Sequence, residues 1–393
     1  MQREGDKIKM DNYRICTKCI YDTNITVISF DENGVCNYCN QVEKLTMDYG
    51  TGNHKGKQEF EKIIELIKKK GKNKKYDCVI GVSGGTDSSF LLLKAIEWGL
   101  RPLAVHYDNT WNSSIATENV RKVTSKLNID LETYVVNNKE VYDIFRSFFL
   151  AGVPEFDAST DLALAQVIRM YAAKYNIKYI IEGHSFATEG ISPQGNNYFD
   201  GKYIKDIHKR FGKLKMKTYP LMTLFQFLKW TIIYRQQFIR PLWYIDYSKS
   251  AAREKLVNET GWKYYGGHHL ENRSSAFVHK IYHPQKFNLD NRNWGLAAEV
   301  RSNLLPKEEA LKIYNTPLED DPELVEYVKK RLNVSNQEYE KVMSAPVRNF
   351  RDFKTYKKQF ERLKPLFYLL AKANLVPMSF YLKYCFPLPK EKK

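Results

Sequence analysis

Two groups of residues stand out for the chemistry their spacing allows. The first is Ser83-Gly84-Gly85-Thr86-Asp87-Ser88-Ser89, set between an apolar run at 76–82 and a helical one that starts at Phe90. Paired glycines let the backbone come close to an anion, hydroxyls can donate to it, and the N–H groups and dipole of a helix start favour negative charge. The segment reads as a pyrophosphate cradle. It is not a Walker loop, since Gly-Lys-Ser/Thr is absent from the chain, and it lacks the Gly-x-Gly-x-x-Gly spacing of dinucleotide folds. The competing reading is an ordinary glycine-rich strand-to-helix turn.

The second group is Cys16-x-x-Cys19 and Cys36-x-x-Cys39, with sixteen residues between the pairs. Pair spacing and separation fit a four-thiolate zinc site. A closed four-cysteine site leaves no position open for chemistry, so the expected zinc is structural; an iron–sulfur cluster and free thiols are the alternatives. A segment this small needs the metal to fold. Cys78, in an apolar run, and Cys385, near the end, receive no catalytic role.

Both groups need a scaffold. From residue 76 onward short apolar runs alternate with amphipathic stretches, the pattern of βαβ units around a parallel sheet. Strands are expected at 78–82, 103–107, 133–136 and 179–182, and helices at 87–98, 114–127, 158–175, 221–235 and 250–260, with a wholly helical region beyond 291. The expected organisation is a zinc-bearing element at 1–52, an α/β nucleotide domain at 53–290 and a helical region at 291–393. With 393 residues, 43% of them hydrophobic, the chain can bury one large core or two smaller ones.

The first residues are polar, without the apolar run of a secretory signal. The apolar stretch at 219–233 is broken by Gln226 and Lys229 and falls short of the roughly 20 residues a membrane span needs. A cytoplasmic location is expected, where cysteines argue for metal or catalysis rather than disulfides. The net charge of +17 suits either an anionic partner or a plain lysine-rich surface.

On its Ser-Gly-Gly-Thr-Asp-Ser-Ser loop the chain resembles the PP-loop ATP pyrophosphatases. These share an adenine-nucleotide α-hydrolase fold and cleave ATP between the α and β phosphates to adenylylate a substrate oxygen. The resemblance implies ATP with Mg2+ on Asp87, adenosine beside His106, Tyr107 and Asp108, and phosphates near Gly183 and His184, with Lys249 reaching the nucleotide. Core histidines and a lysine on a solvated helix face are the structural alternatives.

A second resemblance spans nearly the full length. It is carried by 16–23 and 34–39 around the cysteines, by the phosphate loop, and by Gly261-Trp262 with 265–273, which ends His268-His269-Leu270-Glu271-Asn272-Arg273. On these motifs the chain resembles the N-acetyl sugar amidotransferase family of surface-polysaccharide biosynthesis, including LPS and O-antigen. The reaction this implies turns an acetamido group of a nucleotide-linked sugar into an acetamidino group. The amide oxygen attacks the α-phosphate of ATP, pyrophosphate leaves, and ammonia then displaces AMP. His268, His269, Glu271 and Arg273 would hold the sugar or its diphosphate; a polar surface loop is the alternative reading.

Ammonia is mostly protonated at neutral pH, and the chain offers no glutaminase nucleophile: it begins Met1-Gln2, four thiols are claimed by metal, and Cys78 lies in a strand. An ammonia-supplying glutaminase subunit is therefore expected, and the resemblance adds its cyclase-like companion. The basic, aromatic tail, with Phe360, Leu363, Leu366, Phe367, Leu370 and Tyr381, is a candidate surface for that partner or for peripheral contact with a membrane, unless the stripe is core. The rival reading is a PP-loop tRNA-modifying enzyme, a thiolase or lysidine-type ligase. The lack of a spare cysteine pair and of an appended RNA-binding module speaks against it, so nucleic acid is not an expected partner.

Overall fold

Runs of Val, Ile, Leu and Ala with flanking turns build a five-stranded sheet, and every strand pairing in it is parallel. In the computed structural model, which describes residues 13–191, 198–266, 271–373, 375–376 and 378–387, the strands are β1 Cys78–Gly81, β2 Pro102–Asp108, β3 Leu131–Val135, β4 Tyr179–Ile181 and β5 Gln237–Ile239. Their order is β3-β2-β1-β4-β5. The chain winds outward in both directions from the centre, so the loops leaving β1 and β4 open into the crevice where such sheets take ligands. This is a parallel-sheet α/β fold with a four-cysteine element and a helical C-terminal region.

The helices are α1 Asn37–Tyr49, α2 His54–Gly71, α3 Thr86–Glu97, α4 Ser114–Lys126, α5 Asn138–Ala151, α6 Ala158–Lys174, α7 Gly201–Phe211, α8 Leu224–Leu228, α9 Lys249–Thr260, α10 Arg273–Phe277 and α11 His283–Phe287. After these come α12 Arg292–Arg301, α13 Lys307–Asn315, α14 Pro322–Leu332, α15 Asn336–Ser344, α16 Lys357–Arg362, α17 Lys364–Lys372 and α18 Met378–Tyr384. The four expected strands are present. Strand β5 and helices α5 and α7 were not expected, and the helix expected at 221–235 is the short α8 running into a π-helix at Lys229–Ile233. Three residues are too few for β5 to show a period. α5 is set locally, by the Asn137 cap on its first turn and by Gly152, in the left-handed region at φ 67°, at its end.

Alternation along the strands sends side chains to two cores. Val79, Leu103, Val105, Tyr107 and Ile180 face one core with α5, α6 and α14. Cys78, Ile80, Val82, Ala104 and Ile181 face the other with α2, α3, α4 and α9. The cysteine element packs on α12 and α13 through Ala297, Val300 and Ala310. The aromatic stripe of the tail is core: Phe360, Phe367, Leu370 and Tyr381 are buried together, Leu363 and Leu366 lie partly buried beside them, and Phe227 stacks on Phe367 and Phe380. Among the described residues no helix is long and apolar enough to cross a membrane.

Candidate active site and metal centre

The phosphate loop joins β1 to α3, and its shape is held from two sides. Gly84 lies in the left-handed region at φ 84°, and a Cβ there would stand 2.1 Å from the carbonyl oxygen of Ala116. Only glycine fits. The Gly84 carbonyl accepts from Trp262 Nε1 at 2.9 Å and from Asn119 Nδ2 at 3.3 Å, which fixes the turn. Ser83 Oγ accepts from Gly85 N at 3.2 Å, and Ser88 Oγ accepts from Ser83 N at 3.3 Å. Gly85 caps α3 without a side-chain bond, and the start of this helix, with its positive end, lies beside the Tyr265 hydroxyl.

Asp87, on the first turn of α3, is gripped from β5's side of the crevice. The Tyr247 hydroxyl donates to its Oδ1, and Lys249 Nζ stands 3.7 Å from Oδ2. Lys249 also lies 3.9 Å from Glu189 Oε1, and Glu189 Oε2 is 4.0 Å from His184 Nε2. Gly183 passes close behind, where a Cβ would meet the Asp87 Cβ at 3.3 Å. His184 Nδ1 accepts from Trp243 Nε1 at 3.3 Å, which leaves the ring proton of the neutral form on Nε2, facing Glu189. Burial, with Arg240 nearby, pushes His184 down to about 4, so the ring is neutral at physiological pH.

The residues expected at the end of β2 have other places. His106 is buried beneath the loop, bonded through Nδ1 to the Val82 carbonyl at 2.8 Å and through Nε2 to Asn112 Nδ2 at 3.3 Å. It steadies the backbone that enters Ser83. Tyr107 points into a core and stacks on Tyr134, while Asp108 Oδ1 accepts from Thr110 N at 2.7 Å.

Glu271 does reach the site: a Cβ on Gly85 would stand 3.6 Å from its Oε1 and 3.3 Å from the Tyr265 hydroxyl. The segment is pinned to the exit of β2, with Ser113 N donating to the Glu271 carbonyl and Arg273 N to the Trp111 carbonyl, both at 2.8 Å. Asn272 Nδ2 donates to the side-chain oxygens of Asn109 and Asn112. The Arg273 guanidinium turns away, over the Tyr327 ring at 4.7 Å. His268 and His269 lie outside the described residues.

The sequence reading missed Tyr247, Glu189 and Asn119, and gave Trp262 and Tyr265 of its motif no role. Asn119 had a visible signal. It interrupts the apolar spacing of Ala116, Val120 and Val123 on α4, and is fully buried.

Cys16, Cys19, Cys36 and Cys39 converge as buried free thiols, with all four sulfurs within 4.8 Å of one another. Cys16 Sγ to Cys39 Sγ and Cys19 Sγ to Cys36 Sγ are both 3.8 Å. Four Zn–S bonds of about 2.3 Å in a tetrahedron need sulfurs about 3.8 Å apart. The donor set therefore fits a zinc ion. Backbone N–H groups of Lys18, Tyr21, Cys36 and Cys39 point at the sulfurs, which suits thiolates. Arg301 Nη2 approaches Cys19 Sγ at 3.5 Å while its guanidinium covers the Tyr21 ring.

Residues 271–366 match the family described as LPS biosynthesis protein WbpG-like, C-terminal domain. This part of the chain is similar to that domain. The match begins at Glu271, so the WbpG-like segment contributes directly to the crevice, and it bears out the family resemblance read from the sequence. An uncharacterized protein of Methanocaldococcus jannaschii is 32% identical over 173 residues, 43% of this chain and 58% of its own length. The chain thus spans little more than half of that relative. Among solved structures, an NMN synthetase from Francisella tularensis aligns with 72% of this chain and 95% of its own, at 14% identity and a TM-score of 0.32. An NH3-dependent NAD synthetase from Campylobacter jejuni aligns with 73% of this chain and 95% of its own, at 15% identity and a TM-score of 0.28.

Proposed function

We propose that the protein is an ATP-dependent amidotransferase of LPS or related surface-glycan biosynthesis, converting the acetamido group of a nucleotide-linked sugar to acetamidino. The observation that carries this reading is Asp87 at the start of α3, gripped by Tyr247 and Lys249 and faced across the loop by Glu271 of the WbpG-like segment.

The start of α3 and the Ser83, Thr86, Ser88 and Ser89 hydroxyls offer donors for the β and γ phosphates of ATP. Asp87 is the carboxylate that would hold a magnesium ion, whose charge would offset that of the departing pyrophosphate. Lys249, with the neutral His184 as a further donor, stabilises the same charge. The sugar amide oxygen attacks the α-phosphorus, the bond to the bridging oxygen breaks, and pyrophosphate leaves. Ammonia then adds to the activated carbon, loses a proton, and AMP departs. Chemistry of this kind needs positioning and charge neutralisation more than covalent help. Glu271 faces the loop from the side on which the sugar would enter and is the candidate acceptor for its hydroxyls or for the ammonium proton. A glutaminase subunit with its cyclase-like companion supplies the ammonia, on the cytoplasmic side of the membrane.

Incubation with ATP, Mg2+, an ammonium salt and UDP-diacetamido sugars tests the proposal. AMP and pyrophosphate should appear in step with a sugar whose mass falls by the difference between O and NH. Release of ADP instead would exclude the PP-loop chemistry. Turnover stimulated by bulk tRNA and not by nucleotide sugars would move the protein to RNA modification.

A further inference from the structure

The C-terminal helical hairpin has two apolar faces, and only one is used by the body of the protein. Phe367, Leu370 and Ala371 of α17 are buried inward. Tyr368 and Leu369, from the opposite side of the same helix, stand outward, with Leu369 65% exposed. On α18, Met378 and Leu382 are exposed at helical spacing, and Tyr381 beside them contacts Tyr368 with ring centroids 5.6 Å apart. The two outward stripes are therefore one patch.

The charges along the hairpin itself are of a single sign. From residue 362 to 387 the sequence has Arg362, Lys364, Lys372 and Lys383 and no Asp or Glu. Lys372 lies over the Tyr368 ring at 5.6 Å, its stem on the apolar face and its ammonium at the rim. Next to the hairpin is a groove of about 680 Å³ lined by Lys202, Arg351, Lys354, Lys358 and Arg362, with Glu361 as its one acidic side chain. Its Lys357 is turned inward to the carbonyls of Tyr384 and Phe386, which fastens α16 to the end of α18. The groove-lining α16 and the patch-bearing α18 are thus held together.

Exposed apolar residues rimmed by cations on a short helical hairpin match a surface that lies in the headgroup region of a bilayer, and a basic groove alongside matches lipid phosphates. We propose that the α16–α18 face docks the protein on an anionic phospholipid membrane. This inference is independent of the reaction assigned to the phosphate loop. It accounts for both halves of the surface. The cations of the groove outnumber its one acid, Glu361, which suits the phosphates of an anionic bilayer.

The test is co-sedimentation of the full chain with vesicles of phosphatidylcholine alone or mixed with phosphatidylglycerol. The expected result is binding to the mixed vesicles only, weakened by salt. Lys354→Gln and Lys358→Gln should each lower the affinity about fivefold. Leu369→Glu with Leu382→Glu should abolish sedimentation while circular dichroism stays unchanged. If that pair fails to fold, the groove variants decide. The proposal is overturned if the folded chain ignores mixed vesicles, if inorganic pyrophosphate binds the groove but vesicles do not, or if Leu369→Glu turns a dimer into a monomer with vesicle binding untouched. That last result would assign the face to a second copy of the chain.

Discussion

The Tyr247 hydroxyl donates to the carboxylate of Asp87 from 160 residues away in sequence, just before the helix that brings Lys249 to the same group. A metal-binding carboxylate works in one orientation, and its outer hydrogen-bond partner sets it. Tyr247→Phe should lower Mg2+-dependent pyrophosphate release by about 10- to 100-fold. Asp87→Asn should abolish it with zinc content unchanged. Steady-state assays with metal analysis on the same samples check both.

Gly84→Ala should be more damaging to the fold than any other single change in the loop. The left-handed φ alone costs on the order of 1–3 kcal/mol. The new Cβ would also collide with the Ala116 carbonyl, so the melting temperature should fall and ATP protection against unfolding should vanish. Thermal denaturation with and without ATP is the measurement.

Trp262→Phe removes one donor from the Gly84 carbonyl while keeping an aromatic ring in the core. A single neutral hydrogen bond of this kind contributes about 1 kcal/mol. The expected outcome is a small loss of stability with a larger rise in KM for ATP. Equal effects on both would mean that Trp262 only packs.

Zinc removal should be felt at the nucleotide site. α12 carries Ala297 and Val300 against the cysteine element, and its Ala298 lies 3.2 Å from where a Cβ of Gly190 would be, next to Glu189. Cys36→Ser or a strong chelator should release zinc, lower the melting temperature and weaken ATP binding together. Calorimetric titration of ATP before and after chelation checks the link.

Glu155 should make the protein less stable in alkali. It is buried, accepts from Tyr203 Oη at 2.9 Å and from Tyr198 N at 3.3 Å, and burial raises it from 4.5 to about 7. A raised carboxyl binds its proton more tightly when folded. Its stabilising share is complete below about pH 4.5 and is lost as pH rises through about 7. The loss is on the order of 3 kcal/mol. Denaturant unfolding of Glu155→Gln should show a smaller decline between pH 5 and 8 than the parent; parallel curves would disprove the assignment.

The sequence showed what is local. The phosphate loop and the cysteine pairs are contiguous or nearly so, and β1, β2 and β4 carry enough apolar residues to be seen. What escaped it is what distance in the chain conceals. Trp262 reaches Gly84 across 178 positions and Tyr247 reaches Asp87 across 160, with no mark on either residue to say so. His106 sits where a ligand-binding histidine was expected, yet its bond to the Val82 carbonyl makes it a support. The apolar stripe of the tail was visible, but not that Phe367 turns inward and Leu369 outward. That division depends on Phe227, from an element whose helix gives way to a π-helix.

Arg301 and Cys19, in contact through a guanidinium and a thiol, are separated by 282 positions. On the ribosome the four cysteines emerge long before α12 and α13, the surface that covers them. The element must therefore wait, thiols open to solvent, until most of the chain has been made. A metal ion captured in that interval would shield the sulfurs from oxidation, and a chain interrupted before Val300 would leave its cysteine element without the surface that covers it.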